Sequence, residues 1–264
     1  MAFAELKQRQ SVMWGNGPYE RITNTLRDIH DLVIERVDPK PGEKVLDAAT
    51  GTGAVAILAA KRGADVVGQD LAPVLVDTAR DRAAEEGVTV QFEVGDAEDM
   101  DYDASSFDVV TSTCGVMFAP DHGAVARELA RVTKPGGRLA LACWTPEGGL
   151  GQMFGMMRPF LPPPPDGVGS PFAWGKEDHV RELLGESFEL EFEEHDSILC
   201  TADGEEYWQL FSTSYGPTRT GAEALDDARR EEFHQAWVDF FQARREGDEV
   251  VHHREYLLTL GTRL

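Results

Sequence analysis

The sequence predicts an α/β protein whose mostly parallel sheet carries helices on both faces. Three observations lead there. Short apolar runs alternate with helical segments of roughly 12 residues, the rhythm of right-handed βαβ units. The run Val45-Leu46-Asp47-Ala48-Ala49-Thr50-Gly51-Thr52-Gly53 reads as a buried strand that turns through glycines into a helix. Acids also follow the ends of later strands, at Asp70 and Asp96. Ligands of parallel sheets sit at those carboxyl ends.

The elements follow in order. After a polar start comes the aromatic-bracketed turn Trp14-Gly15-Asn16-Gly17-Pro18-Tyr19. A helix is predicted from Glu20 to Val37, where Ile22, Leu26, Ile29, Val33 and Val37 keep helical spacing. Asp38-Pro39-Lys40-Pro41-Gly42 stops it. Beyond the glycine turn, Ala54 to Ala60 is a run of helix formers. Ala64 to Asp70 makes a second strand, and Pro73 opens a helix that reaches Glu86. Val88, Val90, Phe92 and Val94 alternate through a third strand, and Phe107 to Thr111 forms the fourth. Asp121 can cap a helix with Ala124, Val125, Leu129 and Val132 on one face, stopped by Pro135-Gly136-Gly137. Arg138 to Trp144 is the fifth strand.

After Trp144 the composition changes. Gly148 to Gly169 is rich in Met, Phe, Pro and Gly, and Pro162 to Pro165 must be extended. A short helix near Lys176–Leu184 precedes a sixth strand, where Phe188, Leu190 and Phe192 alternate with glutamates. Helices are expected over Glu205–Tyr215 and Ala222–Arg245, the latter with Phe233, Trp237 and Phe241 as core, then a seventh strand at Tyr256–Leu260. The chain thus divides into an N-terminal lid and helix (1–40), a cofactor-binding core (41–147), and cap segments with the last two strands of the same sheet (148–264).

Charge narrows the function. With 47 acidic and 25 basic residues the net charge is −22. Nucleic-acid binding relies on a basic surface that displaces counterions, so DNA and RNA are excluded as partners. Anionic membranes are unsuitable for the same reason. Cys114, Cys143 and Cys200 are scattered and odd in number, which suits reduced thiols in a cytoplasm. The stretch Met1 to Lys7 lacks the apolar core of a signal peptide, and no run is apolar for the 18 or so residues a membrane helix needs. His252-His253 has no third ligand at a defined spacing, so no metal is expected.

The glycine turn lets backbone amides approach a ligand closely. Gly51-x-Gly53-x-x-Ala56 also fits a dinucleotide fingerprint, by itself a weak signal. Asp47 shifts the balance. A carboxylate there would repel a diphosphate, whereas it would hold a ligand carrying an ammonium group.

Asp47-Ala48-Ala49-Thr50-Gly51-Thr52-Gly53, Asp70, Gly95 to Met100, Phe107-Asp108-Val109-Val110 and Lys134-Pro135-Gly136-Gly137 stand together in one order and spacing. This set resembles the class I S-adenosylmethionine-dependent methyltransferases of the type 11 group. It is most similar to the group that includes the ubiquinone and menaquinone C-methyltransferases. The likeness covers nearly all of residues 11–144 and only loosely residues 145–250. It implies a Rossmann-like seven-stranded sheet with an antiparallel last strand, helical cap insertions, S-adenosylmethionine as cofactor and a small apolar or aromatic acceptor methylated by in-line displacement. Two other readings stay open at this stage: a nicotinamide-dependent oxidoreductase, and a non-catalytic S-adenosylmethionine-binding protein.

The resemblance also implies roles. Asp47, with Ala48, Ala49, Gly51 and Gly53 around it, holds the amino-acid end of the cofactor. Asp70, with Leu71 beside it, accepts the ribose hydroxyls, and Asp96 accepts the adenine amino group with Ala97 or Glu98 adding a backbone N–H. Thr113 and Cys114 face the methionine portion, and Trp14 and Tyr19 form a lid whose aromatic faces attract a sulfonium. Read from the residues themselves, Phe118, Met153, Phe154 and Met157, with Met156 and Phe160 nearby, form a Met and aromatic stripe that is either simple core or one side of an adaptable acceptor pocket. Trp208, Phe211 and Tyr215 close the other. His122, which follows the fourth strand, is the first candidate for a general base, and the other six histidines show no pattern that singles one out.

Overall fold

The computed structural model describes residues 3–264. Helix α1 (Ala4–Trp14) leads into α2 (Glu20–Thr23), which a 3₁₀ turn at Asn24–Leu26 joins to α3 (Arg27–Val37). The βα units follow as β1 (Lys44–Ala48), α4 (Ala54–Lys61), β2 (Asp65–Asp70), α5 (Pro73–Glu85), β3 (Gln91–Val94), β4 (Phe107–Thr113), α6 (His122–Val132) and β5 (Thr133–Trp144). The cap side holds α7 (Gly149–Met157), α8 (Glu177–Leu184), β6 (Phe188–Thr201), α9 (Gly204–Ser214), α10 (Gly216–Glu223), α11 (Asp227–Gln242), β7 (Arg245–Glu246) and β8 (Glu249–Arg263).

One sheet runs in the order β3-β2-β1-β4-β5-β8-β6. Strands β1 to β5 pair in parallel, and the last strand, β8, is antiparallel to both β5 and β6. The Rossmann-like mixed sheet expected from the sequence is therefore present. An eighth strand, the two-residue β7, makes a hairpin with β8 that no apolar alternation announced. Order reverses between β1 and β4, and the glycine turn sits at that switch. Helix α3 buries Ile29, Val33 and Val37 completely or nearly so, as its spacing required.

Four local departures have identifiable causes. The polar start forms α1, because Lys7 finds partners 89 residues away at Asp96. The helix expected over Glu20–Val37 is interrupted at Thr25, where Arg254 draws the carbonyl outward with a 2.6 Å bond and also donates to the hydroxyl. The helix placed at Ala222–Arg245 becomes two, since the Asp226 side chain caps α11 by accepting from the Arg229 N–H. Helix α6 stops at Val132, before the Pro135-Gly136-Gly137 expected to end it, and β5 starts directly at Thr133. Asp121 caps α6 as expected, accepting from the Ala124 N–H.

Candidate cofactor cleft

The carboxyl ends of β1, β2, β3 and β4 open into a cleft of roughly 990 Å³ including its mouth. Helix α1 and the Tyr19 turn form its roof. The floor is the glycine turn. Gly51 has φ +57° and a Cβ there would meet nothing within 4 Å, so the turn presents bare backbone to the cleft. Gly53 is needed for packing instead: it has φ +79°, and a Cβ would come within 2.7 Å of the Phe92 ring. Ala49 also takes a left-handed φ of 53°, so the turn is tight throughout.

Asp47 lies at the end of β1, 2% exposed. Its Oδ2 accepts from the Thr50 hydroxyl at 2.6 Å and its Oδ1 from the Thr111 hydroxyl at 2.9 Å. Burial pushes this carboxyl up to about 6, against the pull of those hydrogen bonds. Asp70 ends β2, where Oδ2 accepts from the Gly51 amide (2.8 Å) and Oδ1 from the Ala72 amide (2.9 Å). Burial raises it as well, and the amides oppose the shift. Asp96 follows β3, with Oδ1 accepting from the Glu98 amide at 2.9 Å. Its Oδ2 receives the Lys7 ammonium at 2.6 Å, which also pairs with Glu98. Burial alone would lower the Lys7 ammonium; the two carboxylates outweigh it and hold it above its ordinary value.

Among the residues assigned from sequence to the donor, Asp47, Ala49, Gly51, Asp70 and Leu71 line the cleft. So do Asp96, Ala97, Thr113, Cys114, Trp14 and Tyr19. Ala48 is buried within β1, Gly53 packs on Phe92, and Glu98 is engaged by Lys7 and the Asp121 amide; none of these three lines it. Burial raises the Tyr19 phenol and the Cys114 thiol, so both are neutral. Trp14 meets Tyr19, Phe118 and Tyr215 edge-on, with ring centroids 4.9–5.8 Å apart.

The residues assigned to the acceptor fare differently. Phe118 lines the cleft. Phe154 and Tyr215 stand behind it, ring to ring with Phe118 and Trp14. Met153 and Met157 are wholly buried, and Trp208 and Phe211 pack on Trp237. These four lie outside the cleft, because α11 packs on both α7 and α9 and closes over them. His122 also departs from expectation. Its Nδ1 is 2.9 Å from His179 Nε2, its ring packs by Trp174, and Gly169 covers it. Burial, then His179, lowers it to about 4, and it does not line the cleft.

Sequence reading passed over Lys7, Gln10, Thr23, His30 and Gln69, which do line it. Thr23, Leu26 and His30 share one helical stripe, a spacing that was available but beside a stronger core stripe. Among the described residues, no three His, Cys, Asp or Glu side chains gather as a metal would need. No helix among them is long and apolar enough to cross a membrane.

A parallel sheet with a glycine turn at its switch point, and acids at successive strand ends, defines a nucleoside-cofactor-binding α/β protein. A methyltransferase domain model matches residues 45–137. An uncharacterised protein of Mycobacterium tuberculosis is 35% identical over 215 residues, covering 78% of this chain and 76% of that one. The nocamycin O-methyltransferase of Saccharothrix syringae is 41% identical over 119 residues, or 44% of this chain and 42% of the relative. In fold, the crystal structure of the YcgJ protein of Bacillus subtilis superposes with a TM-score of 0.63 at 20% identity, covering 88% of this chain and 97% of that one. The chain belongs to the class I S-adenosylmethionine-dependent methyltransferases. It is an enzyme of methyl transfer, and S-adenosylmethionine is its cofactor.

Proposed function

We propose that this enzyme methylates a small acceptor with an apolar or aromatic body, and that the cleft described above is where donor and acceptor meet. The observation that carries the reading is the series Asp47, Asp70 and Asp96 along one cleft floored by bare glycine backbone. A cationic amino-acid tail, a vicinal diol and an exocyclic amine, taken in that order, suit three carboxylates. A diphosphate laid over the glycine turn would meet the buried Asp47 instead.

The donor, when bound, supplies a methyl group made electrophilic by its sulfonium. The rest is the chain's own work. Asp47 attracts the ammonium, and the Ala49–Gly51 backbone keeps the approach clear. Asp70 receives the ribose hydroxyls on the lone pairs its two amides leave free, and Asp96, with the Ala97 backbone, orients the purine. Trp14, Tyr19 and Phe118 offer ring faces and edges to a cation and to a flat acceptor, and α1 shields the cleft from water. Holding the reactants aligned and dry supplies much of the rate of a displacement. We further propose that residues 148–264 choose the acceptor. Phe154 and Tyr215 pack on Phe118 and Trp14, two residues that line the cleft. The likeness of residues 11–144 to the quinone C-methyltransferases and a relative named for O-methylation are both compatible with such an acceptor.

The test is transfer of tritium from methyl-labelled S-adenosylmethionine to a metabolite extract and to a panel of phenols and quinones. Label in an organic-extractable product of low mass supports the reading, and label confined to protein or nucleic acid refutes it.

A further inference from the structure

Of the lysines and arginines among the described residues, Arg254 is the most deeply buried, at 2% exposed. It stands on β8 opposite Ser197 of β6 and does not line the cleft. All four bonds of its guanidinium go to neutral oxygens. Burial lowers it below its ordinary value, with Tyr207 and then Asp28 opposing through space. A buried cation bonded only to neutral groups is costly, and an apolar side chain of similar volume often fills such a place at least as stably. What Arg254 supplies beyond packing is the set of groups it holds together.

One edge of the fork is fixed to the sheet: Nε donates to the Ser197 carbonyl at 3.1 Å and Nη2 to the Ser197 hydroxyl at 2.8 Å. The other edge reaches the break between α2 and α3. There Nη2 donates to the Thr25 carbonyl at 2.6 Å and Nη1 to the Thr25 hydroxyl at 2.9 Å. The Thr25 hydroxyl in turn donates to the Ile22 carbonyl at 2.9 Å, and the Ser197 hydroxyl to Asp28 at 3.1 Å. One planar group thus ties the end of α2, the 3₁₀ turn and the first turn of α3 to the sheet. Thr23 and Leu26, on either side of Thr25, line the cleft. The Thr23 hydroxyl lies 2.9 Å from the Thr52 hydroxyl in the glycine turn, and both residues are buried. A continuous path therefore runs from β8 to the floor of the cleft, through Arg254, Thr25, Thr23 and Thr52.

We propose that Arg254 is a positioning residue for the donor: by clamping Thr25 it holds Thr23 against the glycine turn and keeps that turn in the shape the donor needs. This rests on the donor reading above and adds to it a residue outside the cleft, on the last strand of the sheet. Lysine cannot replace it, because a single ammonium lacks the planar fork that spans Ser197 and Thr25 at once. At Thr23 the path needs only a hydroxyl.

Calorimetry with S-adenosylhomocysteine and amide exchange, both on the full chain, test it. Arg254→Lys and Thr23→Val should each weaken S-adenosylhomocysteine by roughly 3- to 10-fold, the effect of one neutral hydrogen bond. Thr23→Ser should retain the wild-type affinity. Because both changes break one path, the double variant should bind no more weakly than the weaker single variant, whereas independent sites would multiply. Exchange at residues 50–53 should also rise in Arg254→Lys. A folded Arg254→Lys chain that melts earlier but keeps full affinity and unchanged exchange at 50–53 overturns the proposal, as does a multiplicative double variant. Should Arg254→Lys not fold, Ser197→Ala removes one anchor of the fork and should show the same losses at smaller size; unchanged affinity there overturns the proposal too. A wild-type chain that binds no S-adenosylhomocysteine overturns the donor reading itself, and exchange at 50–53 still decides the clamp.

Discussion

Asp47 is a carboxylate that the fold holds at a cost, and its pH behaviour follows from that. Its native value of about 6 lies above the ordinary 3.8, so the folded state holds the proton more tightly than the unfolded chain. Burying it therefore costs nothing below 3.8, and costs stability increasingly as pH climbs to about 6, where the full cost is reached. Asp47→Asn should be more stable than wild type at pH 7.5, with the gap closing by pH 3.5 or so; urea unfolding at several pH values reads this. Its partners Thr50 and Thr111 are hydroxyls and can reverse their bonds to an amide. Donor affinity should show the opposite face of the same effect. In wild type it weakens as pH falls below about 6, and in Asp47→Asn it is weak and flat. Asp70→Ala should weaken S-adenosylhomocysteine by roughly 10- to 100-fold, since it removes a charge-assisted acceptor. Asp47, Asp70 and Asp96 could be picked out in the sequence because each stands at, or just past, the end of an apolar strand. Lys7 could not, because its meaning depends on a carboxylate 89 residues away. His30 was hidden for a related reason: only packing shows that its ring lines the cleft.

Helices and strands whose pattern is local were the ones the sequence specified. Helix α5 begins at Pro73 and α6 at the Asp121 cap, both written in adjacent residues. Helix α1 has no clear apolar face and is held instead by Lys7 on Asp96 and Glu98, and by Gln10 on the Phe118 carbonyl. Lys7→Met should therefore loosen α1 over the cleft. Amide exchange across residues 4–14 should rise and donor dissociation should quicken, while α4 and β1 keep their protection. The glycine turn is sensitive in another way. Gly53→Ala imposes a left-handed residue and pushes a methyl into Phe92. Together these should destabilise the protein by about 2 kcal/mol or more, measured as a shift in the urea midpoint. Gly51→Ala meets no atom, so it carries only the conformational part, about 1 kcal/mol in stability. It should still hinder the donor, because its methyl projects beside the bare backbone of the cleft.

Across the molecule, the parallel half announced itself and the cap did not. Residues 45–144 build each βα unit from neighbours in sequence, so apolar period and breakers suffice. The cap assembles α7, α9 and α11 from segments nearly a hundred residues apart, and their Met and aromatic side chains read equally well as pocket or as core. Packing decides: Met153, Met157 and Trp237 are fully buried, and Tyr207 stacks on Phe241 at 3.7 Å. The acceptor end of the cleft is left to Phe118 and to the rings behind it. In the proposed pose the donor bridges β1, β2, β3 and the α1 roof, so its binding should stabilise the whole domain. At a hundredfold excess over its dissociation constant, S-adenosylhomocysteine should raise the melting temperature by roughly 5–10 °C.

The most direct measurement is isothermal titration of the purified chain with S-adenosylhomocysteine and, in parallel, with NAD. Saturable one-to-one binding of the first, abolished or greatly weakened in Asp47→Asn, together with no heat from the second, is the predicted result. Tight binding of the dinucleotide, or full affinity for S-adenosylhomocysteine without the Asp47 charge, would contradict it.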